Sequence, residues 1–297
     1  MPQLNSLQLQ KNKPLSLRRN ESFLIPIVTV STTYALILGI VLVAERSGLL
    51  YLQLLALPLI AALQNHLQIL QHEGAHYQIH PKRKWNDITT NITCTIPFGG
   101  LISHYRHFHF LHHRFLLDPK RDPEISFYAE QGYDFEKKPA RQWAWILLKD
   151  FSGYHYFQFF FSYNFYLTKE IQAGKLPRVK LSEILAILFV FMFLLTLFIS
   201  GFGGIILFYW ILPQPTFMFL FLKLQGYGEH SQRQATIEES TPLHSLTGIR
   251  GLLIRFFIYP LNSDLHKAHH LNLSVPWHRL RQLEFEVDTL GLKFDKT

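Results

Sequence analysis

Residues 49–76 read LLYLQLLALPLIAALQNHLQILQHEGAH, and the interpretation of this stretch decides the fold. Leu49 to Leu70 carries no Asp, Glu, Lys or Arg and meets the ~20 residues a helix needs to cross a bilayer. Its polar positions include Gln53, Gln64, Asn65 and His66. His72 and His76 follow at once with i, i+4 spacing. They therefore share one face of a helix that extends the span into the water phase.

Working outward toward the N-terminus, Glu45-Arg46-Ser47-Gly48 is a turn short enough to demand a helical hairpin. The apolar run before it, Phe23 to Ala44, is a second span, with Pro26 in its first turn, where proline is tolerated. Residues 1–21 form a basic tail (Lys11, Lys13, Arg18, Arg19) without an apolar core, so no removable signal peptide is expected. Toward the C-terminus, Pro81-Lys-Arg-Lys84 is a basic exit, and Asn86 or Asp87 is the expected cap of a short helix from Ile88. The stretch 88–103, at ~16 residues, is too short and too interrupted to span and reads as re-entrant or interfacial. Residues 143–167 are dense in Trp, Tyr and Phe and read as interfacial helices. Two further spans are expected at 183–200 and 202–222, with a tight turn at Gly201, Gly203 and Gly204 and kinks at Pro213 and Pro215.

Composition agrees. The chain of 297 residues is 48% hydrophobic and only 17% charged, which favours lipid contact over a soluble surface. The formal charge of +8 fits cytoplasmic loops and headgroup anchors, and no nucleic-acid partner is expected. A single cysteine, Cys94, excludes an intrachain disulfide and a multi-cysteine metal site. Lys and Arg dominate the tail and the regions 71–182 and 223–297, whereas the turns between paired spans carry only Arg46. The positive-inside rule then places both termini and those regions in the cytoplasm. The expected fold is an all-α integral membrane protein. Four helices at about 23–44, 49–70, 183–200 and 202–222 form two hairpins under a cytoplasmic helical cap.

Three histidine clusters fall on that cap. The first is His72-Glu-Gly-Ala-His76. The second lies in His104-Tyr-Arg-His107-Phe-His109-Phe-Leu-His112-His113, and the third is His266-Lys-Ala-His269-His270. His109, His112 and His113 have helical spacing, as do His266, His269 and His270. Imidazole suits iron, zinc, copper and nickel. Eight such histidines exceed what one metal uses and suggest two.

The arrangement closely resembles the membrane fatty acid desaturase–hydroxylase superfamily. The first box ends the second span, the second is followed by Asp122-Pro-Glu124, and the third runs from Asn262 to His270 and on into Ser274-Val-Pro-Trp277. Glu229-His230 also resembles a family position, just beyond the fourth span. The resemblance covers about residues 45–280 and treats 1–297 as one domain. It implies a di-iron centre that uses dioxygen, with nine ligands: His72, His76, His109, His112, His113, His230, His266, His269 and His270. Glu73, His107, Asp122 and Glu229, with Glu124 beside Asp122, are candidates to orient those ligands from behind. Some relatives carry an asparagine where this chain has Gly226, which leaves the non-histidine group at the second iron open. The implied activity is oxidation of a lipid or acyl chain, desaturation first and hydroxylation or ketolation of a carotenoid or other lipid second. No fused donor domain is expected, so its electrons would come from a separate ferredoxin-like or haem protein.

A rival reading takes His72-Glu73-x-x-His76 as the zinc protease pattern, with Glu73 as base. It leaves the two His-x-x-His-His boxes without a role. A transport role is disfavoured because only His66 lies inside a span. His66, His80, His104, His155, His244 and His278 read as structural or surface groups.

Overall fold

Helix α1 (Leu24–Ser47) and helix α2 (Leu50–Ala75) form the expected hairpin. The computed structural model describes residues 23–176, 178–231 and 248–289; the basic tail and His244 lie outside them. Gly48 turns the chain at φ +63°, where its N–H bonds to Glu45 O. α1 presents Leu36, Leu38, Leu42 and Val43 outward, whereas α2 buries Ile60, Ala61, Ala62, Leu63, Leu67 and Leu70. Apolar residues exposed in a row along a helix this long are stable only against lipid.

The chain then runs through α3 (Arg83–Thr90), a π turn (Asn91–Thr95) and a 3-10 turn (Ile96–Phe98) to α4 (Ile102–Phe115). Next come α5 (Pro123–Glu130), α6 (Ala140–Phe151), α7 (Tyr154–Gln172) and α8 (Leu181–Leu197). Wide π turns at Ile206–Ile211 and Gln214–Met218 lead into α9 (Phe219–Ser231). α10 (Gly248–Phe257), a 3-10 turn (Pro260–Leu265), α11 (His266–Leu271), a 3-10 turn (Trp277–Arg279) and α12 (Leu280–Thr289) complete the described chain. No strand occurs among the described residues.

Three helical stretches are long and apolar enough to cross a membrane: Leu24–Ser47, Leu50–Ala75 and Leu181–His230. As a straight rod the third, 50 residues long, would measure ~75 Å, far beyond the ~30 Å of a bilayer core. It is not straight, because Gly201 leaves the helical region at φ +89°, ψ 1°. The prolines act less by kinking than by widening the helix. Pro213 and Pro215 lack N–H groups, and the neighbouring bonds shift to i→i−5, as in Leu212 N–H to Leu207 O and Met218 N–H to Pro213 O.

Asn86 is not a helix cap. α3 begins at Arg83, and the Asn86 side chain is buried in the helix interior with other partners. Its Oδ1 accepts from Ile79 N–H (3.0 Å) and its Nδ2 donates to Gly74 O (2.9 Å). Two polar residues within α2 find partners in the last long stretch. Gln64 Nε2 donates to Trp210 O (2.8 Å), and Asn65 Nδ2 donates to Gln225 Oε1 (3.1 Å). These bonds tie α2 to the last long stretch. Arg106 of α4 donates to Ala75 O (2.9 Å) and Gly74 O (3.0 Å) and pairs with Asp87 at 2.6 Å. This docks α4, with its histidines, on the end of α2.

Gly74 decides how close α3 can come. A Cβ there would fall 2.4 Å from both Oγ1 and Cγ2 of Thr90. In an isolated helix Gly→Ala gains about 1 kcal/mol, whereas overpacking costs about 1–3 kcal/mol. Gly74→Ala is therefore expected to lower the thermal midpoint of the detergent-purified protein, followed by tryptophan fluorescence. Thr90→Ala in the same chain should recover most of the loss.

Candidate metal centre

Four elements deliver the histidines. α2 carries His72 in its last turn, with His76 as its C-terminal cap residue. One face of α4 supplies His109, His112 and His113, α9 supplies His230 in its last turn, and α11 supplies His266, His269 and His270. The structure brings all nine together. Ligand-capable atoms of His72, His76, His109, His113 and His269 lie within 4.8 Å of one another. The other four meet in overlapping sets: His112 with His266 and His270, His112 with Glu124 and His230, and Glu229 with His230 and His266. His113 Nδ1 and His270 Nδ1, 3.2 Å apart, join the two groups.

The spacings suit coordination. His76 Nε2 stands 2.9 Å from His109 Nε2, His109 Nε2 2.8 Å from His113 Nε2, and His270 Nε2 2.9 Å from His266 Nε2. Nitrogens about 2.1 Å from a shared metal and at right angles to each other stand about 3 Å apart. Several ring nitrogens are buried without a hydrogen-bond partner among the described residues, including His72 Nε2 and His112 Nε2. Such atoms are costly to bury unless something binds them. Burial, reinforced by neighbouring imidazoles such as His72, holds His76, His109 and His269 well below the usual histidine range. His266 and His270 are lowered by burial and their own ring neighbours. These rings are neutral at pH 7, the form that offers a lone pair. His112 differs: burial lowers it, but Glu124, Asp122 and Glu229 outweigh burial and hold it above the usual value.

Carboxylates stand behind the rings. Asp122 Oδ2 lies 2.9 Å from His112 Nδ1, leaving Nε2 to face the centre. The same Asp122 caps α5, its Oδ1 accepting from Glu124 N–H and Ile125 N–H. Orienting His112 and turning the chain at Pro123 are thus one arrangement. Glu73 is buried; its Oε2 accepts from Trp277 N–H (3.1 Å) and its Oε1 lies 3.4 Å from His72 Nδ1. Glu229 Oε2 lies 3.8 Å from His266 Nδ1, and its Oε1 accepts from Gln225 Nε2 at 2.8 Å. Carboxylates in such positions fix the tautomer and raise the basicity of a ligating ring.

His107 is outside both groups, paired instead with Glu170 of α7 at 3.1 Å. Expected to orient a ligand from behind, it projects from α4 toward α7 instead. His155 pairs with Asp150 (2.7 Å), His66 meets Phe256 edge-on, and His80 stacks on Phe23. The protease pattern finds no support: Glu73 is held by Trp277, and His72 and His76 share their site with three more histidines. Arg106 and Gln225 were not singled out from sequence. A charged residue inside the histidine run and an amide at the end of a span were the only signals.

Asp122→Asn keeps an oxygen to cap α5 but turns an N–H donor toward His112 Nδ1. Metal affinity should fall about 10–100-fold, with thermal stability changed far less. Metal titration and thermal unfolding of one preparation separate the two effects.

Comparison with known proteins agrees with this geometry. A profile described as "Fatty acid desaturase" matches residues 49–290, well over half of the chain. Dihydrorhizobitoxine desaturase from Bradyrhizobium elkanii is 26% identical over 237 residues, covering 77% of this chain and 66% of the relative, just under two thirds of its length. No solved structure matches. With its histidine boxes inside the matched region, the chain belongs to the fatty acid desaturase family.

Proposed function

We propose that this protein is a membrane di-iron oxidoreductase that uses dioxygen to introduce a double bond into a fatty acyl chain. The observation that carries the proposal is the meeting of nine histidines from four helices in two adjoining groups. His72, His76, His109, His113 and His269 would hold one iron, and His112, His230, His266 and His270 the other. The donor set suits iron: neutral imidazoles with nearby carboxylates, and no thiolate. Bound there, iron supplies reductive activation of dioxygen and hydrogen removal from an unactivated C–H bond. Desaturation takes two hydrogen atoms, that is two protons and two electrons, from a CH2–CH2 unit; a donor supplies two more electrons and solvent two more protons, so that dioxygen leaves as two waters. A separate ferredoxin-like or haem protein provides the donor electrons.

The chain's own part is to position and to exclude water. A cleft of about 40 Å³ is lined by His72, His266 and His269 together with Glu73, Glu229, Ile69, Leu261 and Trp277. It is small enough for one methylene, and its apolar wall favours lipid over water. The whole chain acts as a single domain. With the break at Gly201, the apolar stretches make four passes in two hairpins, and the histidine groups face the cytoplasm on a helical cap. α6 and α7 lie at the membrane surface, where Trp145, Tyr154, Phe157, Phe161 and Phe165 are exposed.

Anaerobically purified protein should carry about two irons per chain, and one tightly held zinc in their place would overturn the metal assignment. His269→Ala should lower the iron content and abolish product. Cells with and without the chain should differ by oxygen-dependent double bonds in acyl chains. New hydroxyl or keto groups would assign hydroxylation or ketolation, and no oxygen-dependent change would sink the enzyme reading. Because the Bradyrhizobium relative is named for dihydrorhizobitoxine, the comparison includes small molecules as well as lipids.

A further inference from the structure

The nine histidines divide unevenly. Five gather at the first position and four at the second, which therefore has one nitrogen donor fewer. We propose that Glu124 completes the second position as a carboxylate ligand, and that the contact between Tyr128 and Gly226 holds it there. This inference rests on the metal-centre reading given above.

Glu124 sits in the first turn of α5, its N–H bonded to the capping Asp122. Its carboxylate lies among three of the clustered imidazoles. Oε1 is 4.0 Å from His230 Nε2, while Oε2 is 3.8 Å from His112 Nδ1 and 4.0 Å from His109 Nδ1. Neither oxygen takes a hydrogen bond from a described residue, although the side chain is only 23% exposed. A carboxylate facing three imidazoles, with no hydrogen-bond donor on it among the described residues, is well placed to receive a cation. His112 commits Nδ1 to Asp122 and keeps Nε2 for the centre. Glu124 therefore meets the second position through Oε1, on the side of His230. The 4.0 Å between Oε1 and His230 Nε2 would let a single ion reach both atoms at about 2.1 Å each.

Two pairs with i, i+4 spacing set this distance. Glu124 and Tyr128 share a face of α5, and Gly226 and His230 share a face of α9. Tyr128 closes on Gly226 so tightly that a Cβ at 226 would fall 1.9 Å from Tyr128 Oη and 2.6 Å from Cζ. The hydroxyl donates to Leu222 O (3.3 Å), and Lys223 Nζ stands 3.7 Å from the ring centroid. Only glycine allows that approach. One turn along each helix, the same approach brings Glu124 to His230. Two other carboxylates lie nearby, but Asp122 is held by His112 Nδ1 and the first N–H groups of α5, and Glu229 by Gln225 and the back of His266.

The test uses the full chain, purified anaerobically and loaded with ⁵⁷Fe. Iron content and Mössbauer spectra read each iron separately, and circular dichroism checks folding. Wild type should hold about two irons with two distinct signals. Glu124→Gln should shift or remove one signal, leave the other unchanged, and weaken the second iron about 10–100-fold or more. Glu124→Asp, which keeps the charge, should restore iron content in part. Gly226→Ala alters no ligand yet should perturb the same signal, which keeps the proposal testable if Glu124→Gln does not fold. Two unchanged signals in Glu124→Gln, or loss of both together, would overturn the assignment. Wild type without iron would overturn the metal-centre reading itself, an outcome seen before any variant is made.

Discussion

The last turn of α2 ends in carbonyls that no helical N–H can reach, and the rest of the structure is arranged to satisfy them. Gly74 O accepts from Asn86 and Arg106, and Ala75 O accepts from Arg106. One residue earlier, the Glu73 carboxylate accepts from Trp277 N–H. The partners come from α3, α4 and the C-terminal segment. The same turn carries His72 and leads directly to His76. Satisfying one helix end therefore brings the segments that bear the other histidines into reach. The absence of a side chain at Gly74 lets α3 approach closely enough for this to happen.

Packing so many imidazoles together has an electrostatic consequence. Charged rings this close would repel one another, and burial opposes charge as well, so most are held neutral. Carboxylates then stand on the far side of selected rings, Asp122 behind His112 and Glu229 behind His266. Buried imidazoles and carboxylates without a cation between them would be a poor way to stabilise a fold. The arrangement becomes favourable with cations at the two proposed positions, which links folding of the cap to metal binding.

The apolar exterior and the polar interior serve each other. α1 and α8 show leucine and phenylalanine outward, yet α2 carries Gln64, Asn65 and His66 at its middle. Gln64 and Asn65 are fully buried and bonded to residues 210 and 225 of the last long stretch. Asn65 continues through Gln225 to Glu229, behind His266. Polar residues in a span thus act as the register between the hairpin and the proposed centre, since each bond forms at one axial offset of the helices.

Much of this was legible in the sequence. The apolar run lengths mark the long helices, because bilayer thickness sets a length that composition reveals. The spacing of His109, His112 and His113 and of His266, His269 and His270 marks helix faces, because that periodicity is local. Other features could not be read. Asn86 has the composition of a cap but serves as a tertiary bracket, and His107 sits in the histidine run but faces Glu170. The division of the histidines into five and four, and the closing of Tyr128 over Gly226 that brings Glu124 to His230, depend on contacts between residues far apart in the chain. Local pattern determined which residues are able to act together. Tertiary packing decided which of them do, because ligand distances are fixed by how closely whole helices approach.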